Sequence, residues 1–141
     1  MMSKWFNKVA ILVLVLGAAV SVAHADSRGQ FGATGAYQFE NSSFMIQGRY
    51  VQPLSPKTRV VPAVAYDFDL EEVVLDLDLH IVNPGTRYYG IGGINYADSD
   101  AGLNFGIGMH FNYNEKAPGF GELKYIFFGW SGVVLSVGVL F

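Results

Sequence analysis

The chain has 141 residues, enough for one domain, and its formal net charge of −3 is not accompanied by any run of basic residues. Nucleic-acid binding needs clustered Lys and Arg that neutralise phosphates, so the composition argues against a nucleic-acid partner. Cysteine is absent and hydrophobic residues make up 51% of the sequence, so disulfides are excluded as the source of stability.

The N-terminal segment has the order of features found in a secretory signal peptide. Two lysines precede an apolar block over residues 9–22, and Ala23-His24-Ala25 supplies the small residues of a cleavage site. The block is too short for a membrane-spanning helix, which needs about 20 apolar residues. We therefore predict a signal peptide over residues 1–25 and a single exported domain over residues 26–141.

In residues 26–141, apolar residues recur at every second position, and this alternation predicts eight β-strands. Each segment is about 9 to 11 residues long, which is the length of a tilted strand that crosses a membrane. High hydrophobicity without a long apolar helix is typical of such strands. The predicted strands are Gln30–Glu40, Ser43–Gln52, Arg59–Asp69, Glu72–Val82, a fifth around Tyr88–Tyr96, Leu103–Tyr113, a seventh around Gly121–Phe127, and Ser131–Phe141.

The third and fourth predicted strands have the clearest alternation and invite a prediction of register. A two-residue turn at Leu70-Glu71 would place Asp69 opposite Glu72 and would match apolar residues with apolar residues. Pro62 interrupts the third strand, and because proline cannot donate to a sheet ladder we predict a β-bulge there.

The last predicted strand alternates without interruption and ends the chain on a phenylalanine. Its apolar face consists of Val133, Leu135, Val137, Val139 and Phe141. This pattern resembles the closing strand of bacterial outer-membrane β-barrels, in which it serves as the assembly signal. Over residues 26–141 the chain resembles the small eight-stranded outer-membrane β-barrels of the OmpA/OmpX type.

The outward aromatic residues are expected to form two girdles, one at each membrane interface. With an even number of strands and the N-terminus in the periplasm, some fall at the outer strand ends and the others at the inner ends. The predicted outer girdle consists of Phe39, Phe44, Tyr66, Phe68, Tyr96 and Phe127. The predicted inner girdle consists of Phe31, Tyr50, Tyr88, Phe111, Tyr113 and Phe141.

The inward face carries charges of both signs in equal number. A lumen just wide enough for side chains would pack these groups together, so we predict a salt-bridged interior. The predicted network consists of Arg49, Arg59, Asp67, Asp76, Asp78, His80, Arg87, Glu122 and Lys124.

Two chemical alternatives remain open for the inward residues. Because every second side chain of a strand faces the same way, Asp76, Asp78 and His80 would point to one side, as the ligands of a metal ion do. Ser136 would also face inward, so that Ser136, His80 and Asp78 could form a nucleophile set.

The resemblance implies an all-β fold, an antiparallel up-and-down transmembrane barrel, in the bacterial outer membrane. A non-enzymatic structural or envelope-protective role is expected, without a cofactor, with outer-membrane lipid and the barrel-assembly machinery as partners and the monomer as the expected state. The short outer connections argue against an adhesin, which displays sequence on long loops. An open pore is not expected, because an eight-stranded lumen fills with side chains. The alternatives are a lipid-modifying outer-membrane enzyme and a soluble periplasmic lipid-binding barrel.

Overall fold

The computed structural model describes residues 29–98, 100–111, 118–127 and 131–141, which form a closed antiparallel β-barrel. Each strand pairs with its neighbour along the chain, and the first pairs with the last to complete the ring. The predicted fold class is therefore confirmed. The strands are β1 (Gln30–Gln38), β2 (Ser43–Ser55), β3 (Thr58–Asp67), β4 (Glu72–Val82), β5 (Tyr88–Ala97), β6 (Asp100–Phe111), β7 (Gly119–Phe127) and β8 (Gly132–Leu140).

The N-terminal segment lies outside the described residues. The predicted signal peptide, residues 1–25, precedes the first described residue. Among the described residues, no helix is long and apolar enough to cross a membrane.

The side chains alternate between the lumen and the outer surface, as period two predicts. On β4, Asp76 and Asp78 are 6% and 4% exposed, whereas Leu77 and Leu79 are 47% and 42% exposed. Polar groups therefore line the interior and large apolar groups face outward, which reverses the usual arrangement of a water-soluble protein.

The two ends of the barrel differ in their connections. We call the end at which β1 begins and β8 ends the terminal end, and the opposite end the far end. Strands β1, β3, β5 and β7 end at the far end, where the described connecting residues are 39–42, 68–71, 98 and 131. Strands β2, β4 and β6 end at the terminal end, where the described connecting residues are 56–57, 83–87 and 118.

The β3–β4 turn has four residues rather than the two predicted. Asp67 pairs with Glu72, so Asp69 lies in the turn and not opposite Glu72. Asp67 Oδ1 accepts hydrogen bonds from the backbone N–H groups of Asp69 and Leu70, each at 2.9 Å, and Glu71 has a φ of 51°. An Asp side chain that caps its own turn in this way favours the longer loop. Since the register moves by two residues, every side chain keeps its predicted face.

Pro62 does not produce the predicted bulge. The β2–β3 pairing keeps one register on both sides of Pro62, from Arg49 opposite Ala63 to Gln52 opposite Val60. The register shift lies instead near the terminal end, between Pro53 and Ser55 of β2. Pro62 and Val61 make no ladder pair with β2, but the register is the same on both sides of them, and Pro62 pairs with Leu77 of β4.

The lumen is filled by two layers of buried apolar side chains with a polar layer between them. The far-end layer consists of Ala36, Met45, Ala65, Val74, Ala97, Ile126 and Val134. The terminal-end layer consists of Val51, Val61, Phe120 and Leu140. The apolar layers place the buried charges in a low-dielectric environment, where unpaired charges are costly.

Candidate functional site

The polar layer is built around a buried ion pair between β2 and β7. Arg49 makes two hydrogen bonds to Glu122, at 2.6 and 2.9 Å, and its guanidinium lies 4.3 Å from the centre of the Phe120 ring. The Tyr89 hydroxyl donates a third bond to Glu122, at 2.8 Å, and Arg49 also donates to Gln47, at 2.8 Å. The carboxylate is thus held by a bidentate cation and a phenol, an arrangement in which a charge can be buried.

A second cluster joins β7 to β4. Lys124 Nζ lies 2.9 Å from Asp78 Oδ2 and 3.7 Å from Asp76 Oδ2, and all three side chains are buried. Gln47 donates to Asp76 Oδ2 at 3.0 Å and so connects this cluster to Arg49. The Lys124 ammonium group therefore forms ion pairs with two carboxylates.

A third cluster lies towards the terminal end and stacks aromatic rings around a cation. Arg59 Nη1 is 2.9 Å from His110 Nε2, and Arg59 Nη2 is 3.2 Å from His80 Nδ1. The Tyr89 ring packs between the two imidazoles, with ring centres 4.8 and 4.7 Å away, and the Arg59 guanidinium lies 4.8 Å from the same ring. His80 Nε2 faces Glu122 Oε1 at 3.8 Å, which joins this cluster to the central ion pair.

This geometry does not assemble the two chemical sites considered from the sequence. A nucleophile set needs a histidine between Ser136 and Asp78, but the ring nitrogens of His80 face Arg59 and Glu122. Within the described stretches of chain, no three His, Asp or Glu side chains converge as ligands of a metal ion.

Seven of the nine predicted network residues lie in these three clusters, and two lie elsewhere. Asp67 is buried at the far end, where it caps the β3–β4 turn. Arg87 is not an interior residue. Strand β5 begins one residue after it, so Arg87 lies in the preceding turn and is exposed.

The prediction also omitted side chains that hold the clusters together. These side chains occupy inward positions, which the alternation of the strands predicts from the sequence. They are Gln47, Tyr89, His110 and Phe120. Most of them carry no formal charge, so a network predicted from charged residues does not include them.

Several inward polar atoms have no hydrogen-bond partner within the described part of the chain. Among them are Oδ1 of Asp76 and of Asp78 and both amide atoms of Asn95 and Asn104. The register places Asn95 opposite Asp76, and Asn104 opposite Gly93, which itself lies opposite Asp78. Buried polar groups left over in this way are normally satisfied by internal water. A cavity of about 10 Å³, close to the size of one water, borders Asp76 and Lys124.

The predicted aromatic girdle residues are mostly on the outer surface. At the far end Tyr66 and Phe68 make an edge contact at 5.2 Å, and Phe44 stacks on Phe68 at 6.2 Å. The exposed members of the predicted girdles are Phe31, Phe39, Phe44, Tyr66, Phe68, Tyr88, Phe127 and Phe141. Tyr96 and Phe111 are half-buried, and Tyr113 lies outside the described residues.

Tyr50 departs from the expected outward exposure, because it is only 5% exposed. Its ring packs edge-on against Phe31 at 4.9 Å, and its hydroxyl bonds to Gln52 at 3.3 Å. A side chain at Gly29 would collide with the Tyr50 ring, so the start of the described chain covers it. Three exposed aromatic residues lie outside the predicted girdles, namely Tyr37, Phe105 and Tyr125.

The predicted assembly residues lie along the outer face of β8. Leu135, Val137, Val139 and Phe141 are exposed, and Val133 is half-buried. The backbone N–H of Phe141 donates to the carbonyl of Phe31 at 2.8 Å, so the last residue extends the seam between β8 and β1.

Comparison with solved structures identifies the fold. A de novo designed transmembrane β-barrel matches with a TM-score of 0.67 at 13% identity, covering 80% of this chain and 92% of that one. The N-terminal β-barrel domain of Pseudomonas aeruginosa OprF matches with a TM-score of 0.67 at 16% identity, covering 80% of this chain and 95% of that one. The chain has the fold of the small eight-stranded transmembrane β-barrels.

A further barrel of this fold is similar, although less closely. The outer membrane protein Ail of Yersinia pestis matches with a TM-score of 0.50 at 13% identity, covering 80% of this chain and 98% of that one. No protein-family model matches the chain, and no curated protein matches it in sequence. The resemblance to small outer-membrane barrels predicted from the sequence is confirmed at the level of the fold.

Proposed function

We propose that the protein is a non-enzymatic β-barrel of the bacterial outer membrane, with a structural or envelope-protective role and a lumen filled by a salt-bridge network. In this proposal a signal peptide over residues 1–25 directs export. The barrel-assembly machinery then inserts the domain as a monomer into outer-membrane lipid.

The observation that carries the proposal is the apolar outer surface. Large apolar side chains are exposed on all eight strands, including Leu77 on β4, Ile107 on β6 and Val137 on β8. A soluble protein rarely exposes a continuous apolar surface of this extent, whereas lipid is a suitable solvent for it. A closed ring also pairs the backbone groups that lipid could not satisfy.

The packed lumen favours this proposal over a soluble lipid carrier. A lipid-binding barrel needs an interior cavity of about 300 Å³ or more. The interior cavity beside Lys124 has only about 10 Å³, and apolar side chains occupy the lumen on both sides of the ionic layer. The salt-bridge network supports a mainly structural interior, since its charged atoms bind one another.

The test is electrophoresis of an outer-membrane extract with and without boiling. We expect the protein in the outer-membrane fraction, with a compact, faster-migrating form in the unboiled sample and slower migration after boiling. Arg49→Met/Glu122→Leu, which exchanges the central ion pair for apolar residues, should still reach that fraction. Recovery of the wild-type protein in an osmotic-shock fraction without detergent would overturn the proposal and favour the soluble barrel.

A further inference from the structure

A groove on the outer surface opens at the terminal end, between the β2–β3 connection and the β4–β5 turn. It has a volume of about 680 Å³, and its walls include the exposed apolar side chains of Ile81 and Ile107. Three polar residues of the two connections, Lys57, Asn83 and Thr86, border it at the rim of the barrel. The groove therefore has a polar mouth and an apolar interior.

Strand β5 keeps the groove open, because two of its outward positions are glycines. A Cβ at Gly90 or at Gly92 would meet no atom within 4 Å. Each glycine lies between two large apolar residues of β4 and β6 in the register. The open strip therefore runs from the groove past Gly92 and stops at Ile94, the next outward residue of β5. The flanking pairs are Ile81 and Ile107 for Gly90, and Leu79 and Phe105 for Gly92.

The mouth of the groove presents a positive charge and an amide donor. The Lys57 side chain is exposed, while its backbone N–H donates to Ser55 Oγ at 3.2 Å and its carbonyl accepts from the Val82 N–H at 2.7 Å. Asn83 accepts the Gly85 N–H through Oδ1 at 3.3 Å, so the turn uses the acceptor end of this amide and not its donor end. An ammonium group and an amide donor suit the oxygens of a phosphate.

Tyr88 indicates the depth of this mouth in a membrane. It borders the groove, is 63% exposed and belongs to the predicted inner girdle. Tyrosines of a transmembrane barrel lie at the level of the lipid headgroups, which is also the level of the lipid phosphates.

The charges of the two ends favour an anionic lipid at this mouth. Both exposed basic residues of the described chain, Lys57 and Arg87, lie at the terminal end. Basic residues near a membrane surface attract anionic headgroups. The exposed carboxylate side chains of the described residues all lie at the far end, namely Glu40, Asp69, Glu71, Asp98 and Asp100.

We propose that this groove binds a phospholipid with a net negative headgroup. The phosphate would lie at Lys57 and Asn83, and one acyl chain would follow Gly90 and Gly92. Lys57 supplies the charge that favours an anionic headgroup over a zwitterionic one. The site rests on the proposed function, because it lies in the phospholipid leaflet only if the barrel spans the outer membrane with its N-terminus in the periplasm.

Native mass spectrometry of the detergent-purified protein tests the headgroup part of the site. Phosphatidylglycerol and phosphatidylcholine with the same acyl chains are titrated separately, and we expect wild type to bind one phosphatidylglycerol more tightly. Lys57→Gln should weaken phosphatidylglycerol binding by about fivefold, the effect of one lysine near an anionic lipid surface. Arg87→Gln is the matched control, because Arg87 is exposed at the same end but does not border the groove. Its affinity should stay within about twofold of wild type.

A second pair of variants tests the acyl-chain part. Gly90→Val and Gly48→Val each add a side chain where a Cβ meets no atom within 4 Å, so both should fold and show heat-dependent mobility. Gly90→Val fills the groove and should weaken both lipids by about fourfold or more, the factor for one methylene group no longer buried. Gly48→Val, on the outer face of β2, should leave both affinities unchanged.

Equal affinity of wild type for the two lipids would overturn the proposal. Equal weakening in Lys57→Gln and Arg87→Gln would also overturn it, since that result describes diffuse attraction to the terminal end. The same holds if Gly90→Val and Gly48→Val bind equally well, because the acyl chain would then not lie on β5. In each case a wild-type protein that still fractionates with the outer membrane leaves the proposed function intact.

Discussion

Buried polar contacts from Gln47, Tyr89 and His80 converge on the ion pair between Arg49 and Glu122. Glu122→Leu would leave the Arg49 guanidinium buried without its carboxylate, so we expect a loss of about 3–5 kcal/mol in the free energy of unfolding. The double variant Arg49→Met/Glu122→Leu removes both charges and should recover most of that loss. Urea titration of the barrel in lipid vesicles measures both values, with exposed Glu40→Gln as the control. A double variant no more stable than Glu122→Leu would contradict the interpretation.

The unpartnered amides of Asn95 and Asn104 should behave differently from the bonded amide of Gln47. Asn95→Leu and Asn104→Leu replace groups that make no hydrogen bond to the described chain, so each should change stability by less than about 1 kcal/mol or increase it. Gln47→Met removes bonds to Arg49 and Asp76 and should cost about 1–3 kcal/mol. The same urea titration compares the three variants. Equal losses in all three would show that the asparagines are bonded as firmly as the glutamine.

At the scale of the strand, β5 offers two adjacent glycines with opposite surroundings. A Cβ at Gly93 would overlap Asp78 and the carbonyl oxygen of Leu77, whereas a Cβ at Gly92 would meet nothing within 4 Å. Gly93→Ala should therefore cost about 1–3 kcal/mol through overpacking. Gly92→Ala should be neutral or stabilise by up to about 1 kcal/mol, because it restricts the unfolded chain. Unfolding of the two variants in vesicles is the measurement, and a greater loss for Gly92→Ala would contradict the assigned faces of β5.

The strand β8 allows assembly to be separated from stability. The Phe141 side chain is exposed, and its backbone bond to Phe31 does not depend on the ring. Phe141→Ala should therefore fold in vitro with nearly unchanged stability, but its level in the outer membrane should fall if the terminal aromatic residue is the assembly signal. Phe31→Ala, an exposed aromatic residue on the neighbouring strand, is the control and should be assembled normally. Equal membrane levels of the two variants would count against the signal.

At the scale of the whole molecule, the sequence predicted which face each residue occupies better than which residues meet. Period two placed Asp76, Asp78 and His80 inward without error, because a closed sheet alternates strictly. The same period cannot report turn length, so the β3–β4 register was wrong by two residues. It also cannot show that Tyr89 packs between two imidazoles, since that contact joins side chains of three neighbouring strands and depends on how the lumen packs.

The solvent around the barrel decides what a charge on its outer surface costs. Leu77 lies at mid-strand on β4 and Leu54 near the terminal end of β2, and both are exposed. In a membrane, Leu77→Arg should cost about 2–4 kcal/mol and Leu54→Arg about 0–1 kcal/mol, because the penalty depends on depth. In water, neither arginine would be desolvated, so both variants should be close to wild type. Unfolding in vesicles therefore distinguishes the two environments: equal stabilities for Leu77→Arg and Leu54→Arg would mean that hydrocarbon does not surround β4.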